Sequence, residues 1–288
     1  DLAWSRGLGD VYKRQLQKNH LGQLASVGML VWTHAMLARD ARIGVCTAWI
    51  LLSLVLVIGA GSTTGILTAV GSMFLLIALF RPPVRDPFGL TLILLGVFVL
   101  FALPLHFYML IFGIPTFAEF AGPIFELFGK NVTLTGRDVI WDIMSAEIAK
   151  HPMQGIGYGS FWTGPDGPSG YVRDILFFTI WQAHNGYLDI INETGFIGFA
   201  ISMLFMIYHA ITLGRLASID RVDFAFHTSF FVLFIAVNFS ESAFFWGDQF
   251  LFLILLLSSL TMSRTLAAVA QVRQQEAAKS FSMAPNQS

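Results

Sequence analysis

The chain has 288 residues, 55% of them hydrophobic, with 28 Phe and a mean hydropathy of +0.68. Charged residues make up 12%, about half the roughly 25% usual in soluble domains, which excludes an ordinary water-soluble core. The net charge of −1 offers no basic field for nucleic acid, and the single cysteine, Cys46, has no partner for an internal disulfide.

Residues 1–15 match nothing downstream and read as a non-native scar, so they are set aside from fold reasoning. The chain then enters an apolar segment almost at once, which predicts a missing native N-terminus and missing earlier spans. Apolar runs follow at 21–38, 43–60, 65–80, 90–112, 195–213, 224–239 and 250–262. Most of them approach or pass the roughly 20 residues needed to cross a bilayer. Gln23 and His34 interrupt the first, and the run at 90–112 is the clearest. The pattern predicts an all-α polytopic membrane protein of about seven transmembrane helices.

The short loops orient it. Arg39 and Arg42, Arg81 and Arg85, Arg215 and Arg221, and finally Arg264, Arg273 and Lys279 all fall on one side. The positive-inside rule makes that side cytoplasmic. The turn at 61–64, the loop at 114–194 and the segment 241–248 then lie outside. Lys13 and Arg14 would also lie outside, against the rule, which is a further reason to set residues 1–15 aside. The expected order is helices 1–4 within 16–113, an outer loop at 114–194, helices 5–7 within 195–263 and a fraying cytoplasmic tail at 264–288.

The outer loop spans about 80 residues, far beyond an ordinary connector. It is rich in Trp, Phe, Ile and Tyr, which argues against disorder. Its first part predicts a helix at 136–150, capped by Thr135 and stopped by Pro152. Ile140, Ile143, Met144, Glu147 and Ile148 share one side of it. Arg137 puts a cation at the positive end of that helix. Two readings stay open: Arg137 meets an anion such as a phosphate or diphosphate, or it pairs with Asp138 or another loop acid.

Gly155, Gly157 and Gly159 alternate, which suits tight turns and close backbone approach. Their spacing is not the dinucleotide fingerprint, and no Walker lysine follows. The expectation is a loop folded back on the membrane surface, with Phe161 and Trp162 at the interface. His184 is expected to open a second, short helix with Asn185, Asp189 and Asn192 on one face. A histidine there is either a general base or a hydrogen-bonded structural residue. Asp189 or Glu193 would orient it, or pair with Arg137 or Arg173. No metal-ligand spacing and no GxSxG elbow occurs. His34, His106, His209 and His227 fall in or near spans, where hydrogen bonding between helices accounts for them. Ser62, Thr63 and Thr64 form an outer turn that either donates to a ligand or simply turns the chain.

Three elements occur in order: Gly136-Arg137-Asp138-Val139-Ile140-Trp141, His151-Pro152-Met153-Gln154-Gly155-Ile156-Gly157-Tyr158-Gly159-Ser160-Phe161, and His184-Asn185-Gly186-Tyr187-Leu188-Asp189 leading to Glu193-Thr194-Gly195. Together they resemble the O-antigen ligase/polymerase superfamily of bacterial envelope glycosyltransferases, and most of all its ExoQ-like exopolysaccharide polymerase branch. The resemblance covers residues 43–262. It implies a GT-C-like fold in the bacterial inner membrane with a large periplasmic loop.

The resemblance also implies a glycan donor on undecaprenyl diphosphate, transferred with inversion to an acceptor hydroxyl. A polymerase uses a second lipid-linked repeat as acceptor and a ligase uses lipid A core. No cofactor or metal is implied. Chain-length regulators and export proteins are candidate partners. The resemblance assigns Arg137 to the diphosphate and His184 to the acceptor hydroxyl. Tyr158, Arg173, Asn185, Tyr187, Asp189, Glu193, Ser62 and Thr63 complete the candidate substrate-binding set. The family's further arginine in the outer turn is missing from Gly61-Ser62-Thr63-Thr64-Gly65, and Arg173 is the candidate substitute.

Polymerase and ligase stay open on sequence. A lipid-linked oligosaccharide transporter is the competing class, but it favours charged or broken helices at mid-membrane, whereas the polar groups here gather in one outer loop. A non-catalytic envelope scaffold is a further reading, in which replacing Arg137 or His184 leaves every glycan product unchanged.

Overall fold

The computed structural model describes residues 2–80, 137–177, 179–244 and 250–282. Every regular element among them is a helix: α1 Leu2–Ala38, α2 Ile43–Gly59, α3 Thr63–Phe80, α4 Arg137–Lys150, α5 Gly170–Leu176, α6 Gly186–Leu216, α7 Arg221–Val237 and α8 Phe250–Ser282. The segments Lys18–Ala38, Gly186–Leu216 and Phe250–Lys279 are long and apolar enough to cross a membrane, and Ile43–Gly59 and Thr64–Phe80 are shorter apolar helices. Large apolar side chains such as Val55, Phe74, Ile201, Leu204 and Leu257 point outward, as helices in lipid require. The chain is a multi-pass membrane protein. The predicted span at 90–112, His106 and Thr135 lie outside the described residues.

Side-chain caps start several helices. Ser62 Oγ accepts from the Gly65 amide at 3.1 Å in the first turn of α3. Asp220 Oδ1 accepts from the Val222 and Asp223 amides at 2.9 and 3.0 Å ahead of α7. Each replaces an intrahelical partner that the first turn lacks.

Two compact units divide the chain. The second unit comprises Gly22–Pro82, Met203–Ile235 and Phe245–Ser288. In it α1 meets α3 through Gly22 and Gly65, so close that a Cβ on Gly65 would lie 3.0 Å from Gly22 Cα. Ser26 Oγ donates across this crossing to Gly65 O at 3.1 Å. Small residues let backbones approach where lipid supplies no hydrophobic drive. The histidines here bond between helices: His209 Nδ1 to Ser259 Oγ at 2.7 Å, His227 Nδ1 to Ser258 Oγ at 2.8 Å, and His34 Nε2 to Asp223 Oδ1 at 2.9 Å.

The first unit comprises Asp1–Leu21, Pro83–Ser202 and Ala236–Phe244. It holds α4 and α5, the start of α6 and the segment after α7. The α4 helix follows its predicted pattern: Ile140, Met144 and Glu147 are buried, with Ile143 and Ile148 half-buried beside them.

Three expectations are corrected. The polar tail is helical as far as Ser282 rather than frayed, since α8 continues to that residue. Residues such as Ala, Gln, Glu and Arg extend a helix well once a span has nucleated it. Phe161 and Trp162 are buried, not interfacial, because the Trp162 indole N–H reaches a carboxylate inside the unit. The glycine loop folds onto α6. His184 does not open α6, which begins at Gly186.

Candidate functional site

The α6 helix is broken near its start. Gly195 takes φ 68° and ψ −176°, which interrupts the backbone ladder and frees polar groups on both sides. The glycine loop supplies them. The Ile156 and Gly157 amides donate to Asn192 O and Glu193 O, both at 2.9 Å. The Phe196 amide donates to Pro152 O at 2.8 Å and the Ile197 amide to Met153 O at 3.2 Å. The loop and the broken helix therefore complete each other's hydrogen bonding, which explains why the second and third sequence motifs belong together.

His184 sits just ahead of this helix in a left-handed conformation, φ 54°. Non-glycine residues adopt that region at a cost, so the surroundings must hold it there. They do so on both sides. The Ala183 amide donates to Asp189 Oδ2 at 2.9 Å, and Trp141 Nε1 donates to Ala183 O at 3.0 Å. After it, Asn185 Oδ1 accepts from the Tyr187 and Leu188 amides at 3.1 and 3.3 Å and caps α6. The Gly186 amide then donates to Asn238 O at 2.9 Å, beside the segment that carries Glu241.

Glu241 is the centre of the cluster. Its Oε2 lies 2.9 Å from His184 Nδ1 and accepts from Gln182 Nε2 at 2.9 Å. Its Oε1 accepts from Arg137 Nη2 at 3.2 Å and from Asn19 Nδ2. Glu241 is 2% exposed and His184 5% exposed. Burial pushes the Glu241 carboxyl up, but the hydrogen bond and charge of His184, the Arg137 cation and the Asn19 amide outweigh it and hold the carboxyl below its ordinary value. In the neutral ring, a carboxylate on Nδ1 fixes the single hydrogen there and puts the imidazole lone pair on Nε2.

Asp189 ties the pieces together. It accepts from Trp162 Nε1 at 2.7 Å, from the Ala183 amide and from Ser242 Oγ. One carboxylate thus joins the glycine loop, the residue before His184 and the residue after Glu241.

The structure brings Arg137, His184, Asp189 and Asn185 together, the first two through Glu241. Asn185 serves as a helix cap, and Tyr187 packs its ring against Phe239 and Phe244 at 4.9 and 5.3 Å between centroids. Glu193 is buried beside the break, with Oε1 lacking a hydrogen-bond partner among the described residues. Tyr158 on the glycine loop and Arg173 on α5 are exposed. Arg173 is absent from the hydrogen bonds around Glu241. Ser62 caps α3 and Thr63 begins that helix, both in the second unit. Among the described residues no three His, Cys, Asp or Glu side chains are arranged to hold a metal.

Sequence reasoning missed Glu241, Gln182, Ser242 and Asn19. The available signal was weak: Glu241 lies on the same predicted side of the membrane as the outer loop. The expected partners of His184 were Asp189 and Glu193, its neighbours in sequence. The observed partner comes from 57 positions away.

A polytopic helical protein with this buried Arg–Glu–His cluster fits a membrane-embedded enzyme family. A family profile described as O-antigen ligase matches residues 48–203, and the chain belongs to that family. The exopolysaccharide production protein ExoQ of Rhizobium meliloti (strain 1021) is 31% identical over 103 residues, which cover 34% of this chain and 23% of that protein. No solved structure matches the chain.

Proposed function

We propose that this protein is a lipid-dependent glycosyltransferase that polymerises undecaprenyl-diphosphate-linked oligosaccharide repeats, with inversion. Family membership supports a glycosyltransferase of the bacterial envelope, and the likeness to an exopolysaccharide production protein favours polymerisation. The observation that carries the reading is the buried Arg137–Glu241–His184 cluster.

In this reading the acceptor hydroxyl oxygen attacks the anomeric carbon from the face opposite the leaving group. The bond from that carbon to the diphosphate breaks, and the electron pair leaves on the diphosphate oxygen. Arg137 meets that growing charge. His184 Nε2 takes the hydroxyl proton, contributing about 10²–10⁴-fold as a positioned base, and returns it to solvent afterwards. Glu241 holds the ring and stabilises the imidazolium, as the buried carboxylate does in a catalytic triad. Exposed Arg173 and Tyr158 are the candidates for outer contacts to diphosphate and sugar.

The topology that accompanies this reading has about seven spans, with residues 114–194 and 241–248 periplasmic and the basic loops and the end of α8 cytoplasmic, in the inner membrane. A ligase acting on lipid A core is the second reading, favoured by the description of the matched family.

The test uses the full-length parent in liposomes, with an undecaprenyl-diphosphate-linked repeat and no nucleotide. A glycan ladder made by the parent and lost in Arg137→Ala and His184→Ala supports the polymerase. Transfer only when lipid A core is supplied moves the assignment to ligase. Folded protein that fails with every acceptor returns it to a transporter or scaffold.

A further inference from the structure

Glu241 divides its two oxygens between two tasks. Oε1 faces Arg137 and Asn19, and Oε2 faces His184 and Gln182. A carboxylate offers about four acceptor positions, so these four donors saturate it. One buried anion is therefore shared by two groups that take opposite ends of the proposed reaction. Arg137 meets the donor's diphosphate and His184 meets the acceptor's hydroxyl.

Sharing has an electrostatic consequence. A guanidinium on Oε1 offsets charge that would otherwise stabilise a proton on His184. A diphosphate carries more charge than a carboxylate and presents oxygens that match the guanidinium fork. When Arg137 turns its charge to a diphosphate, Glu241 loses its cation. Asn19 and Gln182 still hold both oxygens, so the carboxylate keeps its position. A buried anion without a cation is costly, and His184, in direct contact with it, gains a positive charge by taking a proton. Charged groups acting on His184 include Glu241, Asp189 on α6, and Arg137 on α4 through Glu241.

We propose that Glu241 couples donor binding to base strength: a prenyl diphosphate held by Arg137 withdraws that cation from the carboxylate and makes His184 a stronger base. The acceptor hydroxyl is then deprotonated efficiently only beside a bound donor. This inference rests on the proposed roles of Arg137 and His184.

The experiment follows the His184 imidazole by NMR in ring-labelled full-length protein in nanodiscs, from pH 5 to 8. It is run with and without farnesyl diphosphate as probe, and calorimetry reports probe binding. In the parent, the probe raises the proton affinity of His184 about tenfold, one pH unit in its midpoint. In Arg137→Gln the midpoint is already raised without probe. In Glu241→Gln the probe moves the midpoint much less than in the parent. Bound probe with an unmoved midpoint in the parent overturns the coupling and leaves the donor site standing. So does an equal shift in the parent and Glu241→Gln, which marks the diphosphate's field acting directly. A parent that binds no probe overturns the coupling and the donor site together. The comparison with and without probe needs only the parent, so a variant that fails to fold does not block it.

Discussion

Gly155 and Gly195 lock the glycine loop to the break in α6, each in left-handed backbone at φ 68°. A Cβ on Gly155 would run into the backbone of Glu193 and Thr194, and one on Gly195 into that of Met153 and Gln154. Neither neighbour is a flexible side-chain end that moves aside. Gly155→Ala and Gly195→Ala are each expected to cost about 1–3 kcal/mol from backbone strain alone, before any clash is relieved. Thermal unfolding in detergent checks this, and Gly159→Ala separates the two effects. Gly159 also has a positive φ, but nothing lies within 4 Å of its would-be Cβ, so its loss should be smaller.

Asp189 accepts from Trp162, Ala183 and Ser242 while buried. Asp189→Asn keeps the shape but turns one acceptor oxygen into a donor facing donors. The expected cost is about 2–3 kcal/mol, because buried donors lose partners. Trp162→Phe removes one of these bonds and should cost about 1 kcal/mol. Both are read from denaturation midpoints.

The charge on Glu241 also predicts a dependence on pH. Its carboxyl is held below the ordinary value of 4.5 in the fold. A depressed carboxyl contributes stability that is complete above the unfolded value and lost as pH falls through the folded one. Acidification from neutrality to below about pH 4 is expected to lower the melting temperature more in the parent than in Glu241→Gln. Equal losses in both proteins would show that other carboxyls govern acid unfolding.

Tyr171 on α5 donates its hydroxyl to Glu147 Oε1 on α4, and Lys150 Nζ donates to the same oxygen at 2.6 Å. Burial raises the Glu147 carboxyl, but the Lys150 and Tyr171 hydrogen bonds outweigh it and lower it. Burial and the Glu147 carboxylate push the Tyr171 phenol up, so it stays a donor at neutral pH. Tyr171→Phe should cost about 1 kcal/mol and speed amide exchange in α5 more than in α4.

Spans and helices were legible because lipid and the helical period each leave a pattern in one dimension. The apolar runs, the buried side of α4 and the stop before Pro152 all follow from local composition and spacing. The alternating glycines were recognised as a site of close approach, but what they approach was not legible. That partner is the carbonyl edge of a helix interrupted at Gly195, which no local rule places beside Pro152. Phe161 and Trp162 were misjudged for the same reason. An aromatic pair in a membrane protein looks interfacial until a carboxylate such as Asp189 is found beneath it.

Sequence by itself determined that this chain is a helical membrane protein, with its longest polar stretch, Arg137 and His184 included, set between apolar runs. Hydrophobic length and motif order carry that information along the chain. Only the tertiary structure decided that Arg137 and His184 share Glu241, and that Asn19 and Gln182 hold the carboxylate between them. A carboxylate's partners are set by approach through space, and Glu241 lies 57 positions from His184 and 104 from Arg137 along the chain rather than in a neighbouring turn.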